Sequence, residues 1–263
     1  MSPFRAACPS IWMYHHVEPA PLDPPTVFST SYLTPEEFDR HLALLEGWGY
    51  RTVTLAQAAR GEARGKCVVL TFDDGCACFL EHAVPLLRQR SMTATLFAVS
   101  DALGGENAWD RAKGERRESL LDGDALRALA EEGFEIASHS RSHRPFEEFE
   151  TDDFPAETAG SKADLEATIG RPVDTFCYPW GRFDGRYRQA VQAAGYRAAV
   201  SIHGVSGTDR RDPLALPRMI LRPGETTFEL RLKASGAYRW WSRLPRLGLL
   251  GALRNRRRRQ ETT

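Results

Sequence analysis

Cysteines are few in this sequence, and their spacing suggests no framework. There are five in 263 residues: Cys8, Cys67, Cys76, Cys78 and Cys177. An odd number without paired spacing argues against a disulfide scaffold. Two of them form C-x-C rather than C-x-x-C, and no second pair completes a zinc site. The cysteines are therefore predicted to be buried, reduced thiols of a protein from a reducing compartment.

Long apolar runs are also missing. No stretch approaches the roughly 18 apolar residues of a membrane span. The N-terminus, MSPFRAACPSIWMYHHV, lacks the charged region and long apolar stretch of a signal peptide. The sequence therefore predicts a cytoplasmic protein.

Net charge is absent as well, with 35 basic and 35 acidic residues. The balance hides an asymmetry, because eight arginines and one acid, Glu261, lie between Arg239 and the C-terminus. The rest of the chain is mildly acidic, so nucleic acid is not expected as a partner. Two regions are predicted: a folded domain over residues 1–237, and a basic, tryptophan-containing tail over residues 238–263.

The tail has the residue types of an interfacial membrane anchor: paired tryptophans, a leucine-rich middle and an arginine cluster. Each arginine near an anionic leaflet contributes about 1 kcal/mol. Peripheral contact with the inner face of an anionic membrane is one prediction. Pro245, Gly248 and Gly251 weaken the segment as a helix. A disordered basic tail, or a helix packed on the domain, is an equal alternative.

Strand and helix patterns alternate along the domain. Val68 to Phe72 is a continuous apolar run, typical of a strand buried on both faces. Thr34 and Pro35 have the residue types of a helix start. Strands are predicted at 11–14, 50–55, 68–72, 93–99, 134–138, 173–178, 197–202 and 216–221, and helices near 34–48, 79–90, 124–132, 156–169 and 185–194. This order predicts an α/β fold with a parallel sheet, closed as a distorted (β/α) barrel of about seven strands.

Polar groups follow five of these strands: His15, Asp73 with Asp74, His139, Tyr178 and His203. In α/β barrels the active site forms at the C-terminal ends of the strands. We therefore expect these groups to share one rim.

Two motifs predict metal chemistry. In Thr71-Phe72-Asp73-Asp74-Gly75, adjacent carboxylates point in different directions, so one can bind a metal while the other remains a base; a helix N-cap is the alternative reading. In the segment 139–143, H-S-R-S-H, two histidines at i and i+4 of a helical turn would face one metal. The set Asp74, His139 and His143 would leave positions open for water and substrate.

A third motif, residues 176–181 (F-C-Y-P-W-G), places aromatics around a proline and a glycine. Such a rigid wall suits stacking against a sugar ring, although a strand end followed by a turn is the better explanation of this motif taken alone. Tyr178, Pro179 and Trp180 are predicted to bind substrate, together with Trp109.

These three motifs, in this order, resemble the NodB-homology polysaccharide deacetylases, carbohydrate esterase family four. The opening M-Y-H-H-V resembles the branch that contains the poly-β-1,6-N-acetylglucosamine deacetylases. The resemblance covers residues 10–222 and implies a distorted barrel, circularly permuted in that branch, that removes N-acetyl groups from amino sugars. It also implies a divalent cation, Zn²⁺ first and Ni²⁺, Co²⁺ or Fe²⁺ otherwise.

The resemblance implies roles for single residues. Asp73 corresponds to the general base, and Asp74, His139 and His143 to the metal ligands. Cys177 stands where many members have an arginine that orients the base; Arg218, in L-P-R-M-I, is a candidate replacement.

The family's late L-x-H motif, which supplies the acid histidine, is missing. The general acid is therefore left open between His15, which the permutation favours, His16 and His203. The resemblance and the chemistry together also predict an oxyanion donor at a backbone N–H near Tyr178.

Alternatives remain at the level of function. Another amide hydrolase on this scaffold (a deformylase, a peptidoglycan deacetylase or a cyclic imidase) is one, and a non-catalytic sugar-binding protein is another. A cytoplasmic location favours a lipid-linked or nucleotide-linked amino sugar over mature extracellular polymer as the substrate.

Overall fold

In a computed structural model, which describes residues 9–19, 32–113, 116–202 and 205–238, seven parallel strands close into a barrel. The strands are β1 (Ser10–Tyr14), β2 (His16–Val17), β3 (Tyr32–Leu33), β4 (Arg51–Thr52), β5 (Cys67–Phe72), β6 (Thr95–Ala98), β7 (Glu135–Ser138), β8 (Thr175–Cys177), β9 (Ala198–Ile202) and β10 (Leu216–Ile220). Strands β5 to β10 lie side by side in chain order, and β1 pairs with both β10 and β5. The predicted barrel of about seven strands is confirmed.

Two short pairings lie outside the ring. Strand β4 pairs with the start of β5, and β2 pairs with β3 in a separate two-stranded sheet. The strand predicted at 50–55 is therefore too long. Thr54 ends it early, because its side chain accepts the Gln57 N–H and caps a helix that begins at Leu55.

Within the described residues seven α-helices accompany the strands: α1 (Pro35–Gly47), α2 (Leu55–Ala59), α3 (Val84–Gln89), α4 (Gly123–Glu131), α5 (Ser161–Ile169), α6 (Gly185–Ala193) and α7 (Thr227–Ala234). The predicted helix start at Thr34 is confirmed, because its hydroxyl accepts the Glu37 N–H at α1. A π-helical turn precedes α3 (Phe79–Ala83) and another precedes α5 (Ala156–Gly160). None of the described helices is long and apolar enough to cross a bilayer.

Alternation along the strands divides the core in two. One buried cluster, which includes Val69, Phe97 and Leu216, is formed mainly by residues in the inward phase of the strands. The outward phase of the same strands packs against the helices. Residues that continue the inward phase past the strand ends therefore point toward the barrel axis at its C-terminal rim.

Candidate active site and metal centre

Asp73 and Arg218 meet inside this rim. Both continue the inward phase, Asp73 after β5 and Arg218 within β10. Their side chains form two hydrogen bonds, from Nη1 to Oδ1 (2.5 Å) and from Nη2 to Oδ2 (2.7 Å). The guanidinium also donates to the Thr71 hydroxyl (3.1 Å) and the Ser201 carbonyl (3.3 Å). Arg218 thus holds Asp73 from one side, the role for which the sequence made it a candidate.

Asp74 faces the opposite way, toward two histidines. Its Oδ1 lies 3.5 Å from Nε2 of His139 and 3.3 Å from Nε2 of His143. All three side chains are buried. The two adjacent carboxylates therefore serve different neighbours, as the sequence predicts.

Backbone strain produces this arrangement. Asp74 has φ of 71°, a left-handed conformation that is costly for a residue with a side chain, and Gly75 follows with φ of 77°. The pair reverses the chain directly after β5. Such strain, of order 1–3 kcal/mol per residue, commonly marks functional sites.

The segment 139–143 is a loop, and the predicted helical turn is wrong. Ser140 and His143 have φ of 64° and 58°, which no right-handed helix allows. The Glu157 carboxylate accepts two backbone N–H groups of this loop, at 3.0 Å each, and so competes with helical hydrogen bonds. The Ser140 hydroxyl accepts the His143 N–H at 3.0 Å. The loop still turns both imidazoles toward Asp74.

The donor set fits a divalent cation. His139 Nδ1 lies 2.9 Å from the Cys177 carbonyl, so it carries the proton, and Nε2 presents its lone pair toward Asp74. Asp74 Oδ1 is buried and has no hydrogen-bond partner among the described residues, although two imidazoles lie near it. One carboxylate and two imidazole nitrogens within 4.8 Å of one another are donors that suit zinc and its neighbours.

The protonation states agree with that reading. Burial alone would raise the pKa of Asp73, but the Arg218 charge and its hydrogen bonds outweigh it and lower that pKa. Burial likewise opposes ionisation of Asp74, yet the neighbouring His143 and His139 bring its pKa below the ordinary value. Burial and then His143 lower the pKa of His139 to about 4. Near neutral pH the site therefore holds ionised carboxylates and a neutral imidazole, the forms that ligate metals.

His15 is the acid candidate that the structure places at Asp73. Its Nε2 lies 3.7 Å from Asp73 Oδ2, and a quarter of its side chain is exposed. Burial lowers its pKa, and the carboxylates of Asp73 and Asp74 oppose that shift. His16 is buried and stacks on Tyr32, with ring centroids 4.2 Å apart. His203 lies outside the described residues.

Two tryptophans flank His143. The Trp109 ring lies 4.5 Å from the His143 ring and the Trp180 ring 5.0 Å, between centroids. The indole of Trp180 donates to the His143 carbonyl at 3.3 Å, and this residue has φ of 60°. Both are partly exposed, so these two predicted substrate contacts line the candidate metal centre.

Tyr178 and Pro179 differ from prediction. The Tyr178 side chain is fully buried, donates to the Leu214 carbonyl at 2.9 Å and stacks on Phe183. It follows the outward phase of β8 and so packs against the helices instead of facing the rim. Pro179 is buried as well. Neither side chain forms the expected open wall.

The Tyr178 amide itself is not available as the predicted oxyanion donor. The Tyr178 N–H donates to the Val200 carbonyl at 3.1 Å and extends the ladder between β8 and β9. This amide is therefore already paired.

Sequence reasoning missed several supporting residues. Thr71 bridges the Trp12 carbonyl (2.8 Å) and Arg218, and Glu157 shapes the histidine loop. Cys177 Sγ accepts from Arg218 at 3.0 Å. Side chains alternate along a strand, so Thr71 and His139 point inward like Val69 and Ala137, two positions before them. The sequence does not show which residue each of them contacts.

Comparison with known proteins identifies the family. A family model described as polysaccharide deacetylase matches residues 60–199, more than half of the chain. The chain therefore belongs to the polysaccharide deacetylase family. YxkH of Bacillus subtilis (strain 168) is 25% identical over 194 residues, which cover 72% of this chain and 65% of YxkH. The chain thus spans slightly less than two thirds of that relative's length.

Solved structures share the fold. PplD, a deacetylase of Streptococcus pyogenes in complex with acetate, aligns with a TM-score of 0.72 and 20% identity over 86% of this chain and 97% of that one. IcaB from Ammonifex degensii aligns with a TM-score of 0.70 and 21% identity over 87% and 96%. A de-N-acetylase of Aggregatibacter actinomycetemcomitans gives 0.70 and 18% over 85% and 98%. At these identities the likeness is one of fold.

Proposed function

We propose that this protein hydrolyses the N-acetyl group of an amino sugar, with a divalent cation held by Asp74, His139 and His143. The observation that carries the proposal is the division of two adjacent buried carboxylates. Asp73 is held by Arg218, while Asp74 faces two imidazole nitrogens. One carboxylate is thereby kept as a base and the other as a ligand.

A bound cation, Zn²⁺ first and Ni²⁺, Co²⁺ or Fe²⁺ otherwise, would polarise the amide carbonyl and lower the pKa of water at the site. Asp73 accepts a proton from the attacking water. Arg218 holds both of its oxygens and limits its rotation.

His15, in its imidazolium form, then donates a proton to the departing amine; burial lowers its pKa, and the carboxylates of Asp73 and Asp74 favour the charged form against that effect. An amine leaves poorly without that proton, so the reaction needs an acid on the side of the leaving group. The position of His15 beside Asp73 and its partial exposure support this role over His16, whose ring is buried against Tyr32. Trp109 and Trp180, on either side of His143, offer faces for stacking a sugar ring.

For the substrate, we propose an N-acetylated sugar carried on a lipid or nucleotide, with the protein in the cytoplasm and peripheral at the inner face of the membrane. The support is the composition of the sequence over residues 238–263, a basic segment that contains paired tryptophans. Apart from Tyr238, the tail lies outside the described residues. Deformylation, peptidoglycan deacetylation and cyclic imide hydrolysis are competing activities on the same groups, and sugar binding without turnover is the non-enzymatic alternative.

The test is a product assay. The full chain, loaded with Zn²⁺, is incubated with monomeric, polymeric, nucleotide-linked and lipid-linked N-acetyl sugars, and with N-formyl counterparts. Acetate and formate are measured separately, with Asp73→Asn as the control. Acetate release that depends on Asp73 is expected, fastest from carrier-linked sugars. Release of formate but not acetate would show that the protein is a deformylase. Release of neither acetate nor formate from any substrate would contradict the proposal.

A further inference from the structure

A second cluster of metal-ligating side chains lies beside the candidate active site. His16 and Glu18 are two residues apart on an extended segment, where side chains two positions apart share a face. Glu118 approaches them from the segment that follows Asn107. One ligand atom from each of the three lies within 4.8 Å of the other two. Ligands that share one cation, with bonds of about 2.0–2.6 Å, have this spacing.

The cluster is buried and incompletely satisfied. His16, Glu18 and Glu118 are each 6% exposed. The Oε1 atoms of Glu18 and Glu118 are buried and have no hydrogen-bond partner among the described residues. A buried carboxylate oxygen without a partner costs roughly 1–3 kcal/mol or more. Both carboxylates lie near one imidazole, and their oxygens without a hydrogen bond keep lone pairs that a metal ion would take up.

Arg116 does not account for the cluster. Its Nη1 lies 3.0 Å from Glu18 Oε2 and its Nε 3.4 Å from Glu118 Oε1, but 48% of its side chain is exposed. One half-exposed guanidinium thus faces two buried carboxylates from the solvent side.

Hydrogen bonds hold the backbone around these groups. The Glu18 N–H donates to the Leu33 carbonyl at 3.0 Å and continues the β2–β3 pairing. The Asn107 side chain accepts the Glu118 N–H at 2.7 Å, and the Asn107 N–H donates to the Glu118 carbonyl at 3.1 Å. A site that keeps its ligands fixed loses little entropy on binding.

We propose that His16, Glu18 and Glu118 bind a second divalent transition-metal ion, distinct from the one at Asp74, His139 and His143. The imidazole favours a transition ion over Mg²⁺ or Ca²⁺, whose ligands are oxygens. The Cys78 sulfur, 3.9 Å from His16 Nδ1, adds a soft donor beside the cluster. The proposal does not depend on the hydrolysis proposed above.

The second site adjoins the first. A ligand atom of His16 also lies within 4.8 Å of one on Asp74 and one on Cys76. An ion at His16 would therefore fix the segment that begins with His15 and leave His15 itself free for proton transfer.

The test counts ions per chain. The full-length protein is stripped with chelator, reloaded with excess Zn²⁺, desalted and analysed by mass spectrometry of its metal content. The wild type is expected to hold two ions, Glu118→Gln one, Glu18→Gln one, and His139→Ala one. The double variant His139→Ala/Glu118→Gln should hold none. Glu106→Gln is the matched control with two ions, because Glu106 lies in the same loop but is 38% exposed and paired with Arg117.

A second readout protects the test from folding artefacts. Thermal unfolding of the stripped variants shows whether each has folded, and Zn²⁺ should raise the melting temperature of the wild type more than that of Glu118→Gln or Glu18→Gln. One ion in the wild type and none in His139→Ala would overturn the second site and leave the first. Two ions in folded Glu118→Gln and Glu18→Gln would overturn it as well. One ion in the wild type that persists in His139→Ala and disappears in Glu118→Gln would support the second site and remove the metal set of the proposed function.

Discussion

Arg218 grips Asp73 with both terminal nitrogens across 145 residues of sequence, at 2.5 and 2.7 Å. The two side chains are 1% and 4% exposed. Paired hydrogen bonds between a guanidinium and a carboxylate fix direction as well as distance. The pair therefore sets the orientation of the proposed base.

Replacing Arg218 by Met should destabilise the fold by about 3–5 kcal/mol, because it leaves a buried carboxylate without its partner. The double variant Asp73→Asn/Arg218→Met should recover a large part of that loss. Urea unfolding of the four proteins in the cycle measures both effects. If the single and double variants were equally unstable, the loss would come from packing rather than from an unpaired charge.

Metal retention should separate the two neighbouring carboxylates. Asp74→Ala, His139→Ala and His143→Ala should each lose the ion of the first site, while Asp73→Asn should keep it and lose turnover by about 10²–10⁴-fold. Metal analysis of desalted protein, read beside activity, is the measurement. Full retention by His139→Ala, in a background that carries Glu118→Gln, would remove His139 from the ligand set.

Loss of the His15 imidazole should depend on the leaving group. His15→Gln is expected to reduce deacetylation of an N-acetyl sugar by about 10²–10⁴-fold without changing the ion of the first site. An aryl acetate should be cleaved almost normally, since its leaving group departs without a proton. A near-normal rate on the amide would transfer the acid role to His16 or His203.

His41 should make the fold sensitive to acid. This buried residue of α1 lies 3.3 Å from the Tyr14 hydroxyl, and its Nε2 has no partner among the described residues. Burial, with the charges of Arg40 and Lys233, lowers its pKa to about 3. As the pH falls below 6.5, His41 becomes protonated in the unfolded chain but stays neutral in the folded one. Its contribution to the free energy of unfolding is therefore complete above pH 6.5 and is lost as the pH falls toward 3.

The expected loss is about 2 kcal/mol between pH 6.5 and 4.5, at about 1.4 kcal/mol per pH unit once His41 protonates in the unfolded chain. The measurement is the free energy of unfolding of the wild type minus that of His41→Gln at each pH. Subtraction removes the other titrating groups. A difference that stayed constant over this range would show that His41 accepts a proton in the folded state.

The tail should bind vesicles through charge and aromatic residues together. Full-length protein is expected to sediment with anionic but not neutral vesicles, less at high salt, and not at all after removal of residues 239–263. Replacing Trp240 and Trp241 by Ala keeps every arginine and should weaken binding only in part. Equal sedimentation of full-length and truncated protein would exclude the tail as the anchor.

Local pattern was enough to predict most of the barrel. Continuous apolar runs such as Val68 to Phe72 marked strands, and capping residues such as Thr34 marked helix starts. The short strands were overestimated, because a helix cap such as Thr54 competes directly with strand continuation. The histidine loop was misread for a similar reason: i and i+4 spacing suggests a helix, but Glu157, distant in sequence, captures its N–H groups.

Pairings across the barrel were harder to predict. Arg218 was a candidate partner for Asp73 only because the usual arginine was missing, and the sequence gave no distance between them. Tyr178 was assigned to the wrong side because the motif does not reveal strand phase, whereas the buried ring belongs to the outer layer. Glu118 carried no signal at all, since its relation to Glu18 exists only after the segments fold together.

Strand β1 lies between β10 and β5, so the ring closes through pairing of the first and the last strand of the barrel. During synthesis, the pairing of β1 with β5 is possible long before the residues of β10 have emerged. Contacts so distant in sequence form late, because a long loop must first be closed. Strand β10, whose pairing with β1 closes the ring, also carries Arg218. We therefore expect a chain that lacks β10 to have an open barrel and an Asp73 that Arg218 does not orient. Closure of the barrel and orientation of the proposed base would then occur together.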